Sequence, residues 1–242
     1  MHGALTMTTT VSNERKMRAR SRAVVARGGR VAHLYSEPPL TIRKVFTEKQ
    51  GESALCMVGS AAGPLPGDDL RLDLEIQDGG HASLSATGAS VAQGQPGVSS
   101  SAKAAARLHT CVVLGAEASL VADPGALVIC AGANVDVELE IALTTSATLT
   151  WRETLVLGRR DEPAGFATLT WNVLRDGRAL LRQHLDLRES HLRSWEGMTR
   201  KHKVITTELR VGINDAQTIV HSPTDVTQQI ADDATLRTTL LS

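Results

Sequence analysis

Leu70, Leu72, Leu74 and Ile76 alternate with Arg71, Asp73 and Glu75, and the same two-residue period returns at Val135, Val137, Leu139, Ile141 and Leu143 against Asp136, Glu138 and Glu140. A strand turns successive side chains to opposite faces, so each run buries one face and wets the other. At 3.6 residues per turn the same leucines would spread around a helix, so both runs read as strands. Asp176-Gly177 separates the apolar run from Trp171 to Leu174 from the run Leu180 to Leu187, which predicts a tight hairpin. Further strand-like runs lie near Val204 to Val211 and Thr218 to Val220.

One unit recurs along the chain. The strand ending at Ile76 is followed by a polar turn and Ala82-Ser83-Leu84, the run ending at Leu114 by Ala118-Ser119-Leu120, and the run ending at Leu143 by Ala147-Thr148-Leu149. Strand, tight turn, strand units of this kind bury a continuous interior when stacked. The pattern predicts an all-β fold with one or two short helices, its many short strands in a β-helical, solenoid-like, two-layer arrangement. A C-terminal helix is expected over 223–240. There Ser222-Pro223-Thr224-Asp225 supplies a capping hydroxyl, a proline suited to the first helical position and a carboxylate three residues after the cap, with Val226, Ile230 and Ala234 at helical spacing.

Residues 1–22 are polar and then basic (Arg15, Lys16, Arg18, Arg20, Arg22) without a sustained period, and are expected to form a flexible arm. Residues 23–242 are expected to form a single domain, since 242 residues lie near the upper end of what one core supports. The charge balance of 26 basic and 26 acidic side chains gives no field to attract nucleic acid or an anionic membrane. With 2% aromatic residues there are few platforms on which bases or sugars could stack. Three scattered cysteines make no disulfide framework, and no apolar block resembles a secretory signal or a membrane span, so a cytoplasmic protein is expected.

The commonest catalytic signatures are missing. There is no P-loop, no Gly-x-Ser-x-Gly elbow and no His-Glu-x-x-His helix. His109 and Cys111 would share one face of a strand and, with Cys130, offer a soft-metal set, although cysteines in apolar runs are more often core residues. His184 and His191, at the end of a strand run, are further candidates for a metal role, although such histidines are more often ordinary strand residues. Asp68, beside Gly67, has the chemistry of a turn residue, yet carboxylates lining a wet channel also hold a divalent ion loosely enough to pass it on. Arg159, Arg160, Asp161 and Glu162 read as a solvated loop, or as charged groups that bond a partner.

The order of several motifs resembles one family. Val58-Gly59-Ser60-Ala61-Ala62-Gly63-Pro64-Leu65-Pro66-Gly67-Asp68-Asp69-Leu70 is similar to the glycine-rich turn and Gly-Asp that precede a long strand in UreD (UreH) proteins. Asp78-Gly79-Gly80-His81, Ser85 to Ser90, Leu114 to Leu120 with Asp123-Pro124, and Trp151-Arg152-Glu153-Thr154-Leu155-Val156-Leu157-Gly158-Arg159 follow in the family's order, over roughly residues 31–190. The resemblance implies a predominantly β, helically coiled fold without enzymatic activity. It implies a complex with UreF and the GTPase UreG that binds urease apoprotein and helps nickel reach its active site, with no tightly bound cofactor and nickel only in transit. Asp68 and Ser90 match family positions along a proposed nickel route. Val91 replaces a frequent basic residue and Pro163-Ala164 a frequent Gly-Glu, so the resemblance leaves two readings, an acidic role moved to Asp161 or Glu162 or no such role in this chain. Arg159 and Arg160 are candidate partner contacts. The alternatives are a metal-dependent enzyme on a β scaffold and a generic β-rich binding module.

Overall fold

The computed structural model describes residues 16–94, 104–189, 193–195, 199–214 and 216–241. Among these, eighteen strands form two sheets, and the only helical pieces are a 3-10 turn at Arg27–Gly29 and a short stretch at residues 193–194. In chain order the first strands are β1 (Arg18–Ala26), β2 (Arg30–Tyr35), β3 (Leu40–Val45), β4 (Ser53–Gly59), β5 (Asp69–Ile76), β6 (His81–Ala86) and β7 (Ser90–Ala92). There follow β8 (Ala106–Leu114), β9 (Ser119–Ala122), β10 (Ala126–Ile129), β11 (Asn134–Leu143), β12 (Thr148–Leu157) and β13 (Phe166–Arg175). The last are β14 (Arg178–Asp186), β15 (Val204–Val211), β16 (Ile219–Ser222), β17 (Asp225–Ala231) and β18 (Ala234–Leu241).

The predicted repeat is the organising unit. The chain crosses from one sheet to the other as β5 to β6, β8 to β9 and β11 to β12, and each crossing lands beside the one before. In one sheet Leu74 sits opposite Val112, which sits opposite Ile141, all in parallel strands. In the other, Ala82 sits opposite Leu120 and Leu120 opposite Leu149, again in parallel. The seven-stranded sheet runs β14-β13-β11-β8-β5-β1-β2, and the other follows β16-β17-β18-β15-β12-β9-β6-β4-β3, with β10 and β7 branching from β12. The alternating rows of Leu, Ile, Val and Ala from both sheets face inward and merge into one buried cluster, with Trp151 and Trp171 its largest members. The strand and two-layer expectations hold, and the coil is solenoid-like. Asp176 and Gly177 both adopt positive φ between β13 and β14, which makes the expected hairpin.

Two expectations fail. Residues 223–240 form no helix: they belong to β17 and β18, with Pro223-Thr224 turning the chain out of β16. Asp225, expected as a helix-cap carboxylate, instead accepts hydrogen bonds from Arg237 across the β17–β18 ladder at 2.9 and 2.7 Å. Ser222 Oγ accepts from the Thr224 backbone within the turn, and Val226, Ile230 and Ala234 fall on two different strands. The β-branched residues of this segment and the burial of Leu236 and Leu240 favour pairing with β15 over a helix. The basic arm also ends early. Residues 1–15 lie outside the described residues, but Arg18–Arg22 belong to β1, parallel to β5, with Ala19, Ser21 and Ala23 buried and the arginines outward. Arg20 and Arg22 pair with Asp73 and Glu75 of β5. No helix among the described residues is long and apolar enough to cross a membrane.

Candidate functional site

A cavity of about 300 Å³ lies where the glycine-rich turn after β4 meets the segment around β7. Its rim is exposed at Gly59, Ala61 and Ala62 on one side and at Thr87, Gly88 and Ala89 on the other, so it opens to solvent. Beneath it a smaller space of about 60 Å³ lies between the two sheets. Leu40, Met57, Leu70, Ser90, Leu108 and Pro124 line both, which sets the larger directly over the smaller.

Glu153 lines the inner space. On β12 it takes an inward place in the row Leu149, Trp151, Glu153, Leu155, Leu157, where every other member is a buried hydrophobe. Burial pushes its carboxyl up to about 7, with Trp151 Nε1 donating to it at 3.2 Å as partial compensation and the charge of Asp123 raising it further. A carboxylate in such a row costs stability unless it is paired, and strongly perturbed carboxyls of this kind cluster at functional sites. In the sequence Glu153 stands out only as part of the Trp151–Arg159 motif. The signal that singles it out is parity, since a charged residue stands where the alternation demands a hydrophobe.

Ser90, at the start of β7, lines both spaces. Asp68 is fully buried, and its carboxylate accepts from the backbone N–H of Met17 at 2.9 Å and of Leu65 at 2.8 Å. It thereby ties the start of β1 to the turn beside the rim and fixes the rim's shape. Asp161 and Glu162 sit in the turn after β12. Glu162 Oε2 accepts from the Arg159 N–H at 2.9 Å, and Lys203 Nζ donates to the Arg159 and Glu162 carbonyls at 3.3 and 3.1 Å. Gly158 is required at this corner: its φ is +82°, and a Cβ there would meet the Glu162 carbonyl oxygen at 2.7 Å. Arg159 and Arg160 are exposed on the same turn. None of the four residues of that turn lines the two spaces that Ser90 lines.

The remaining metal candidates separate. His109 and Cys111 do share a face, and Glu140 from β11 joins them: their ligand atoms lie within 4.8 Å of one another. Cys130 is not part of this group. It is buried beside Arg159 and Glu162, and its thiol is raised by burial and by the Glu162 charge. Burial also pushes the Cys111 thiol up to about 11, against the lowering influence of Arg71. His184 Nδ1 bonds the Thr170 hydroxyl at 2.8 Å, and His191 lies outside the described residues.

The family description "UreD urease accessory protein" matches residues 16–239. "Urease accessory protein UreD 1" of Saccharopolyspora erythraea is 33% identical over 200 residues, covering 80% of this chain and 76% of that protein. "Urease accessory protein UreD 1" of Streptomyces griseus is 32% identical over 158 residues, 65% of this chain and 60% of its own length. "Urease accessory protein UreD" of Streptomyces coelicolor is 31% identical over 173 residues, 71% and 65% respectively. The latter two are thus matched over less than two thirds of their own length. These relatives are named as urease accessory proteins. Glu153 and the Leu-Gly-Arg turn, the coiled strands and the glycine-rich rim all fall inside the matched span, and the chain belongs to the UreD family of urease accessory proteins.

Proposed function

We propose that this protein serves urease maturation as a cytoplasmic scaffold that binds urease apoprotein together with UreF and the GTPase UreG, and assists the delivery of nickel to the urease active site. The observation that carries the reading is the inward-facing, part-buried carboxylate of Glu153 beneath a solvent-open cavity. Nickel is the cargo. A dication leaving water for the interior needs oxygen donors along its way, and Ser90 and Glu153 supply a hydroxyl and then a carboxylate along the two stacked spaces. Asp68 contributes by holding the rim, since both its oxygens are engaged by backbone N–H groups. Asp161 and Glu162 act from the neighbouring turn, where exposed Arg159 and Arg160 present charged donors to a partner's carboxylates.

Co-expression of the chain with UreF, UreG and urease apoprotein tests the reading. The expected result is a co-purifying complex and nickel-loaded urease, and Glu153→Ala is expected to leave the complex intact while lowering nickel per urease. Failure of the wild-type chain to co-purify would remove the scaffold role. Undiminished nickel loading with Glu153→Ala would remove the interior route.

A further inference from the structure

On the outer face of the seven-stranded sheet three adjacent parallel strands bring together four side chains of unusual composition. Arg71 on β5 is directly opposite His109 on β8, and Cys111 on β8 is directly opposite Glu140 on β11. His109 Nε2 lies 3.1 Å from Glu140 Oε2 and 3.2 Å from Cys111 Sγ, and Cys111 Sγ lies 3.5 Å from the same Glu140 oxygen. We propose that His109, Cys111 and Glu140 form a three-ligand site for a divalent transition ion of the zinc class, open at its fourth position.

The triangle has the right size. A tetrahedral ion bonded at about 2.3 Å to sulfur and about 2.0 Å to nitrogen and oxygen holds its ligand atoms roughly 3.3–3.6 Å apart. The three separations here need only small adjustments to meet that. The donor set of one thiol, one imidazole and one carboxylate selects zinc and its neighbours over calcium or magnesium, which take oxygen alone. Three protein ligands with a free fourth position describe an exchangeable site, in contrast to the four-ligand sites that hold a fold together.

Charge is also consistent. Binding turns the Cys111 thiol into a thiolate, its proton passing to solvent, and a dication held by one thiolate and one carboxylate is neutral. Arg71 Nη2 lies 3.3 Å from the sulfur, and its Nε donates at 2.8 Å to Asp73, which Arg20 also contacts, so the guanidinium is partly compensated and meets no net charge in the filled site. Its 3.4 Å contact with His109 Nδ1 is given up when the imidazole proton moves from Nε2 to Nδ1. Arg71 then remains a donor to the metal-bound sulfur, the kind of outer contact that orients a ligand. Glu140 is half exposed, which leaves a way in from solvent. The site stands independently of the urease-accessory reading, because the isolated chain suffices to test it.

The test is a titration of the purified full chain with Co²⁺, followed by absorption. One equivalent is expected to produce thiolate-to-cobalt charge-transfer absorption and the intense visible bands of tetrahedral coordination, both bleached by excess Zn²⁺. Cys111→Ser is expected to abolish the charge-transfer absorption, whereas Cys56→Ser and Cys130→Ser keep it. Glu140→Gln, at a half-exposed position that tolerates the change, is expected to weaken the cobalt Kd by about tenfold or more. Absence of the charge-transfer absorption in the folded wild-type chain overturns the proposal. So does its persistence in Cys111→Ser, or a Kd unchanged by Glu140→Gln.

Discussion

From Ser53 to Arg175 the chain passes repeatedly between the two sheets, whereas from Val204 to Leu241 it runs back and forth within one. In the first region neighbouring strands are parallel and distant in sequence, so each inward row is completed only by residues from another turn of the coil. In the second, β15, β17 and β18 pair antiparallel, the sequence is rich in threonine, and charged pairs lie along and across the ladder: Asp225 with Arg237, and Glu208 with Arg210 on its own strand and Arg152 on the next. Burial alone would raise the Glu208 carboxyl, but Arg152 and Arg210 together bring it below its usual range. The coil draws its stability from hydrocarbon stacked across turns, and the C-terminal meander adds local pairing and polar contacts at the margin.

This contrast orders the expected effects of mutation. Leu72→Asp, which sets an unpaired charge in the buried row of β5, is expected to cost about 4 kcal/mol or more and to abolish the cooperative thermal transition seen by circular dichroism. A next-largest effect is expected at Glu153, the polar exception inside the coil. Its carboxyl is held near 7 in the fold against a reference of 4.5. Below the reference both states carry the proton. As pH rises from there the unfolded chain ionises first, so stability falls and then levels above the folded value. Glu153→Gln removes that decline, so its denaturation midpoint should match wild type near pH 4 and exceed it near pH 8 by on the order of 3 kcal/mol. Parallel pH profiles for the two proteins would show the carboxylate to be better solvated than its position implies. The smallest effect belongs to the margin: Arg237→Ala removes a largely solvent-screened pair with Asp225 and should cost at most about 1 kcal/mol in a urea melt. A loss as large as that at Leu72 would erase the distinction between the two regions.

Where inward and outward residues differ sharply in hydrophobicity, the chain announces its own structure. β5 and β11 are legible for that reason, and the recurring Ala-x-Leu after each polar turn exposes the coil. β1 is silent, because Ala19, Ser21 and Ala23 are small and the arginines between them look like an arm. The C-terminal strands mislead in the other direction: Pro223 and Asp225 fit a helix start locally, and only the cross-strand partner Arg237 and the docking of β18 on β15 decide otherwise. Asp68 carries its turn role in its Gly-Asp context. The face shared by His109 and Cys111 follows from strand period alone, but Glu140 joins them only through the register of β8 with β11, which no local pattern encodes. Glu153 is legible in principle, as the break in the parity of its own row.

Along its main path each sheet is parallel through its middle and antiparallel at both margins: β2 and β14 close the seven-stranded sheet, β3 and β15 flank the parallel strands of the other, and β10 and β7 form a short parallel branch beside β12. A stack of parallel rungs offers the same template at each end and, left bare, would accept further rungs from a second molecule and grow into a filament. Reversed strands at the ends do not repeat the template. The length of the stack is therefore set within one chain, and trimming the protein back to the end of β12 would be expected to release a polymerising edge.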